Sequence, residues 1–172
     1  GVFLSNLSAL VFEIVLTRIF SVTLWYHLAF MVVTAAMAGI GAGGLAAFFI
    51  AGRLQPSRVR ALLGDVEALK ALAVVLFIVV YLAIPFVPGQ MVKPTPASMP
   101  AFCGIFLLAA LPFLMMGLLG GLVFSHYSGS IGKIYAADLG GAGAGVLAAV
   151  GRLYLVPAPS LMLLAAAGSG AA

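Results

Sequence analysis

The chain has 172 residues, 65% hydrophobic and only 7% charged, with a mean hydropathy of +1.28. Soluble domains are about 25% charged, and eight Lys+Arg with four Asp+Glu cannot coat a water-facing surface of this size. The formal charge of +4 comes from few, scattered basic residues, which excludes a nucleic-acid-binding domain and leaves an integral membrane protein.

A membrane-spanning helix needs roughly 20 mostly apolar residues. The first such run covers residues 2–25 and is interrupted by Glu13 and Arg18. It is too long, and too polar at its centre, for a signal peptide. The second, residues 28–51, carries no charge. A basic stretch with Arg53, Arg58 and Arg60 follows. Within it Val59, Leu62, Leu63 and Val66 recur at i, i+3, i+4 and i+7, which predicts a short helix lying on the membrane surface after Pro56-Ser57. The third span is residues 71–87, closed by Pro88 and Gly89, and a proline-rich loop with Lys93 leads into the fourth, residues 101–124.

A polar turn holding His126 and Lys133 precedes the fifth span, residues 134–156, with Asp138 near its start and Arg152 near its end. A sixth apolar run, residues 160–172, rises only about 20 Å and falls short of a bilayer. The expected fold is all-α, a polytopic transmembrane bundle of five complete spans and a truncated sixth. The polypeptide is expected to continue beyond Ala172.

Loop charges set the expected orientation. Residues 53–70 hold Arg53, Arg58, Arg60 and Lys70 against Asp65 and Glu67, whereas the next loop holds only Lys93, so the positive-inside rule puts the first in the cytoplasm. The N-terminus and the turn with Lys133 then also face the cytoplasm. Trp25 and Tyr26 fall at the outer interface, and Tyr127 and Tyr135 at the inner one.

Gly39-Ile-Gly41-Ala-Gly43-Gly44 matches a dinucleotide fingerprint letter for letter, but it lies inside an uncharged apolar run. There the backbone N–H groups are bonded within the helix and cannot meet a pyrophosphate. Close packing is the better reading. Gly39 and Gly43, Gly117 and Gly121, and Gly141 and Gly145 each stand four apart in different spans, where small residues let a neighbouring backbone approach.

Glu13, Arg18 and Asp138 form the expected intramembrane polar set. Glu13 and Arg18 are about 140° apart around the helix, so each needs a partner on another span, and Asp138 is the candidate for Arg18 or Lys133. The set reads either as a structural clamp or as a substrate or proton path. His27, His126 and Cys103 have no second ligand at metal-binding spacing, and no catalytic motif or cofactor site is legible in the chain.

These residues carry a resemblance. Residues 3–18, with Glu13 and Arg18 set as Glu-x-x-x-Thr-Arg, resemble the first span of bacterial multi-pass proteins fused to a spermidine-synthase-like domain. The glycine-rich second span, Leu111-Pro112-Phe-Leu-Met-Met-Gly117, and Ile131-Gly-Lys-Ile-Tyr135-Ala-Ala-Asp138-Leu-Gly140 are similar to later spans of that family. The resemblance implies a non-catalytic domain in the bacterial inner membrane. It would anchor or couple a C-terminal cytoplasmic enzyme domain that uses S-adenosylmethionine or its decarboxylated form. No aminopropyltransferase residue can be assigned within these 172 positions. The implied partners are membrane lipids and the chain's own soluble domain. Two other readings stand beside it: a transporter of polyamine or another small cation, and a structural subunit that packs against membrane partners or oligomerises.

Overall fold

In the computed structural model, the described residues are 1–23, 26–83, 99–153 and 158–170. They form six α-helices and one 3-10 turn: α1 Val2–Thr23, α2 Tyr26–Ala51, α3 Pro56–Ala83, α4 Met99–His126, the turn Ser128–Ser130, α5 Ile131–Leu153 and α6 Ala158–Gly170. No strand occurs among them. Five helices are long and apolar enough to cross a membrane, as expected of chains whose backbone groups must be bonded internally. Trp25 and the loop carrying Lys93 lie outside the described residues.

Contacts fix the direction of each helix. Ser5 meets Lys70 and, seven residues along both helices, Phe12 meets Phe77, so α1 and α3 run parallel. Gly141 packs on Phe3 and Gly145 on Leu7, which makes α5 parallel to them. Gly39 faces Ala110 and Gly43 faces Leu114, so α2 and α4 are parallel to each other. Between α3 and α4 the order reverses: Leu63 and Glu67 share a pocket with Leu119 and Val123, whereas Val74 shares one with Pro112 and Phe113. Consecutive spans therefore alternate. The end of α2, the start of α3, the end of α4 and the start of α5 share one end of the bundle, where Arg53, Arg58, Arg60 and Lys133 are exposed. Helix α6 packs on α1 and α3 and brings Gly168 to Ser8.

The apolar core sits where α1, α3 and α4 converge. Phe12 is enclosed by Phe77, edge-on at 5.8 Å, and by Phe113 at 5.5 Å. Phe77 stacks on Tyr81, and Tyr81 on Phe20, extending the cluster along α1 and α3 away from the basic end. Large apolar side chains outside it, such as Phe30, Met37 and Phe48 on α2 and Leu72, Leu76 and Val79 on α3, point outward. On a membrane protein that surface faces lipid.

One expected element differs. Residues 56–70 are not a separate surface helix; Pro56–Ala83 is one helix of 28 residues, and its apolar span starts at Arg58 rather than at 71. The stripe read as lipid-facing is covered by protein. Val66, with Leu62 and Leu63, packs against Leu119 and Val123 of α4, and Val59 is buried. A helix of this length rises about 42 Å, some 12 Å more than a hydrocarbon core of about 30 Å, so its first turns stand at headgroup level.

Candidate functional site

The polar residues of the interior gather on the first two turns of α1, level with the middle of α3. Ser5, Asn6 and Ser8 are all buried there. Lys70, only 2% exposed on α3, donates from Nζ to Ser5 Oγ at 2.6 Å and to the Ser5 carbonyl at 3.2 Å. The same Nζ lies 2.7 Å from Oε2 of Glu67, one turn earlier and 6% exposed. Ser8 Oγ also donates to the Ser5 carbonyl, at 2.8 Å. An ammonium with a carboxylate, a hydroxyl and a carbonyl around it is fully coordinated by its three N–H donors.

On the other side of α1, Asn6 Nδ2 donates to Oδ1 of Asp138 at 2.7 Å and to the Asp138 carbonyl at 2.8 Å. This pair lines a cleft of about 240 Å³ between α1, α2, α4 and α5, whose far wall includes Gly44, Gly117, Gly120 and Gly121. Asn6 Oδ1 and Glu67 Oε1 are enclosed with no hydrogen-bond partner among the described residues.

The three charged residues singled out in the sequence are not brought together. Asp138 is bonded by Asn6, not by Arg18 or Lys133. Arg18 is exposed, and its backbone carbonyl accepts from Ser21. Glu13 is half-buried, and its backbone carbonyl, not its carboxylate, accepts from Thr17 at 2.8 Å. Thr34 bonds within α2, to the carbonyl of Phe30. The six glycines do lie on helix seams. A Cβ at Gly39 would come within 2.6 Å of the Ala110 carbonyl, and one at Gly145 within 2.7 Å of the Leu7 carbonyl. At Gly43, Gly117 and Gly141 it would overlap the backbone carbonyls of Leu114, Ile40 and Phe3, and at Gly121 the side chain of Ala47.

Sequence reasoning missed Ser5, Asn6, Glu67 and Lys70. The last two look like loop charges in the sequence, yet Lys70 continues the stripe of Val59, Leu63 and Val66 at helical spacing. That register was the available signal.

A serine hydroxyl 2.6 Å from a lysine invites comparison with Ser-Lys nucleophilic dyads. Two facts oppose it. Lysine must offer a free lone pair to act as base, and here Glu67 Oε2 lies 2.7 Å from its Nζ as a competing partner. The space beside Lys70, Ser8 and Phe113 is about 10 Å³, room for about one water and for no substrate. The arrangement ties α3 to α1. No family model matches the chain, and no curated protein or solved structure matches it either.

Proposed function

We propose that the chain is a non-catalytic membrane domain that anchors or couples a cytoplasmic enzyme domain, as the resemblance to multi-pass spermidine-synthase-like proteins implies. The observation that carries this reading is that the interior polar groups bond one another across helices. Lys70 is used up by Glu67 and Ser5, and Asp138 is bonded by Asn6, so both bind helices to α1. Such a bundle is suited to hold a platform in place. On this reading the domain belongs to a bacterial inner membrane with its N-terminus in the cytoplasm. Support for that orientation is the gathering of Arg53, Arg58, Arg60 and Lys133 at one end. Any S-adenosylmethionine-type ligand would belong to the soluble domain.

The test is fractionation of the full gene product with a protease site inserted after the bundle. Cleavage should release a soluble domain that binds S-adenosylmethionine or its decarboxylated form. Absence of such a domain would reject the proposal. For orientation, Arg58→Cys and Met99→Cys in a Cys103→Ser background should label from opposite sides, Arg58 from the cytoplasm.

The cleft beside Asp138 favours a second reading, transport of polyamine or another small cation. Flux into proteoliposomes that is lost in Asp138→Asn would support it, and absence of flux with any cation would reject it.

A further inference from the structure

A second concavity, distinct from the cleft beside Asp138, lies between α1, α5 and α6 and adjoins the polar layer at Ser8. It is a groove of about 280 Å³, open along one side. Leu7, Val11, Ala148 and Ala165 give it apolar walls, Ser8 lies at one end, and Arg152 reaches it from α5. Because Gly145 packs on Leu7 and the helices are parallel, Arg152 stands near the level of Ile14, about 10 Å further from the basic end than Leu7. Arg152 is exposed, and no ion pair to it occurs among the described residues. Glu13, at a similar level on α1, makes no ion pair with it either.

Arg152 lies in the last turn of α5 and closes its apolar span at the end opposite the basic one, where a guanidinium reaches the level of lipid phosphates. Here one cation adjoins a groove whose walls are mostly apolar. A free inorganic anion would leave those walls unused. A second helix, about 10 Å across, does not fit a groove of this volume, whereas an acyl chain does. We propose that this groove binds one acyl chain of an anionic phospholipid, whose phosphate is held by Arg152. The site is independent of the anchoring function proposed above.

The test is native mass spectrometry of the purified chain in detergent, titrated with phosphatidylglycerol and, separately, with phosphatidylcholine of the same acyl chains. The expected result is one phosphatidylglycerol adduct, at least tenfold more persistent than the phosphatidylcholine adduct. Arg152→Gln should abolish that preference. Ala148→Leu, which narrows the groove, should weaken both adducts, while Lys133→Gln at the other end should leave them unchanged. Thermal melts with and without lipid separate binding from a cap on the end of α5. Loss of a cap lowers the melting temperature in both conditions, whereas loss of the site removes only the lipid-dependent rise. The proposal is overturned if Arg152→Gln retains the wild-type preference, if the two lipids bind alike, or if a lipid-free dimer forms instead.

Discussion

The seam between α2 and α4 and the seams that α1 makes with α3 and α5 solve the same problem in different ways. Lipid is as apolar as leucine, so helices in it gain nothing from hydrophobic burial and associate through close packing or interhelical hydrogen bonds. Helices α2 and α4 use close packing: Gly39, Gly43 and Gly117 bring one backbone against the other. Across α1 the bundle adds polar bonds, Lys70 to Ser5 on one flank and Asn6 to Asp138 on the other. A glycine seam fails when anything is added, and a polar seam fails when one partner is removed.

The largest expected effect is on the polar seam. Lys70→Ala leaves the Glu67 carboxylate buried without its cation and should cost about 3–5 kcal/mol, measured by denaturation in detergent. Gly43→Ala tests the packed seam. Its Cβ would overlap the Leu114 carbonyl, which is backbone and cannot swing away, so a loss of about 1–3 kcal/mol is expected in the same assay. Asn6→Ala should cost less, about 0.6–1.7 kcal/mol, as measured for interhelical hydrogen bonds in membranes. Gly41→Ala is the control for the packed glycines. Nothing lies within 4 Å of a Cβ there, so stability should hold or rise by up to about 1 kcal/mol through helix propensity. A loss at Gly41 equal to that at Gly43 would erase the distinction between the two kinds of glycine.

Uncharged apolar runs were the most legible part of the fold. Residues 28–51 and 101–124 nearly coincide with α2 and α4, because nothing polar interrupts them. The start of the third span is hidden in the sequence for an electrostatic reason. Glu67 and Lys70 look like loop charges when taken singly, but paired one turn apart they neutralise each other and the helix continues through them. The polar layer was half legible. Asp138 stands out as an acid in an apolar run, whereas its partner Asn6 is uncharged, 132 residues away and unremarkable in its own helix. The glycine stripes could be read directly, but not their partners. Gly141 and Gly145 pack on the backbones of Phe3 and Leu7, and backbone carries no sequence signature.

The central claim is that the buried charges serve each other and the bundle, and the double variant Glu67→Met/Lys70→Met tests it most directly. A well-packed apolar replacement of a buried ion pair is often neutral or stabilising, whereas removal of one partner is not. The predicted result is a double variant within about 1 kcal/mol of the parent and well above Lys70→Ala in the same detergent melt. A double variant as unstable as Lys70→Ala would contradict the account, because it would show that Lys70 is needed for something other than its pairing with Glu67.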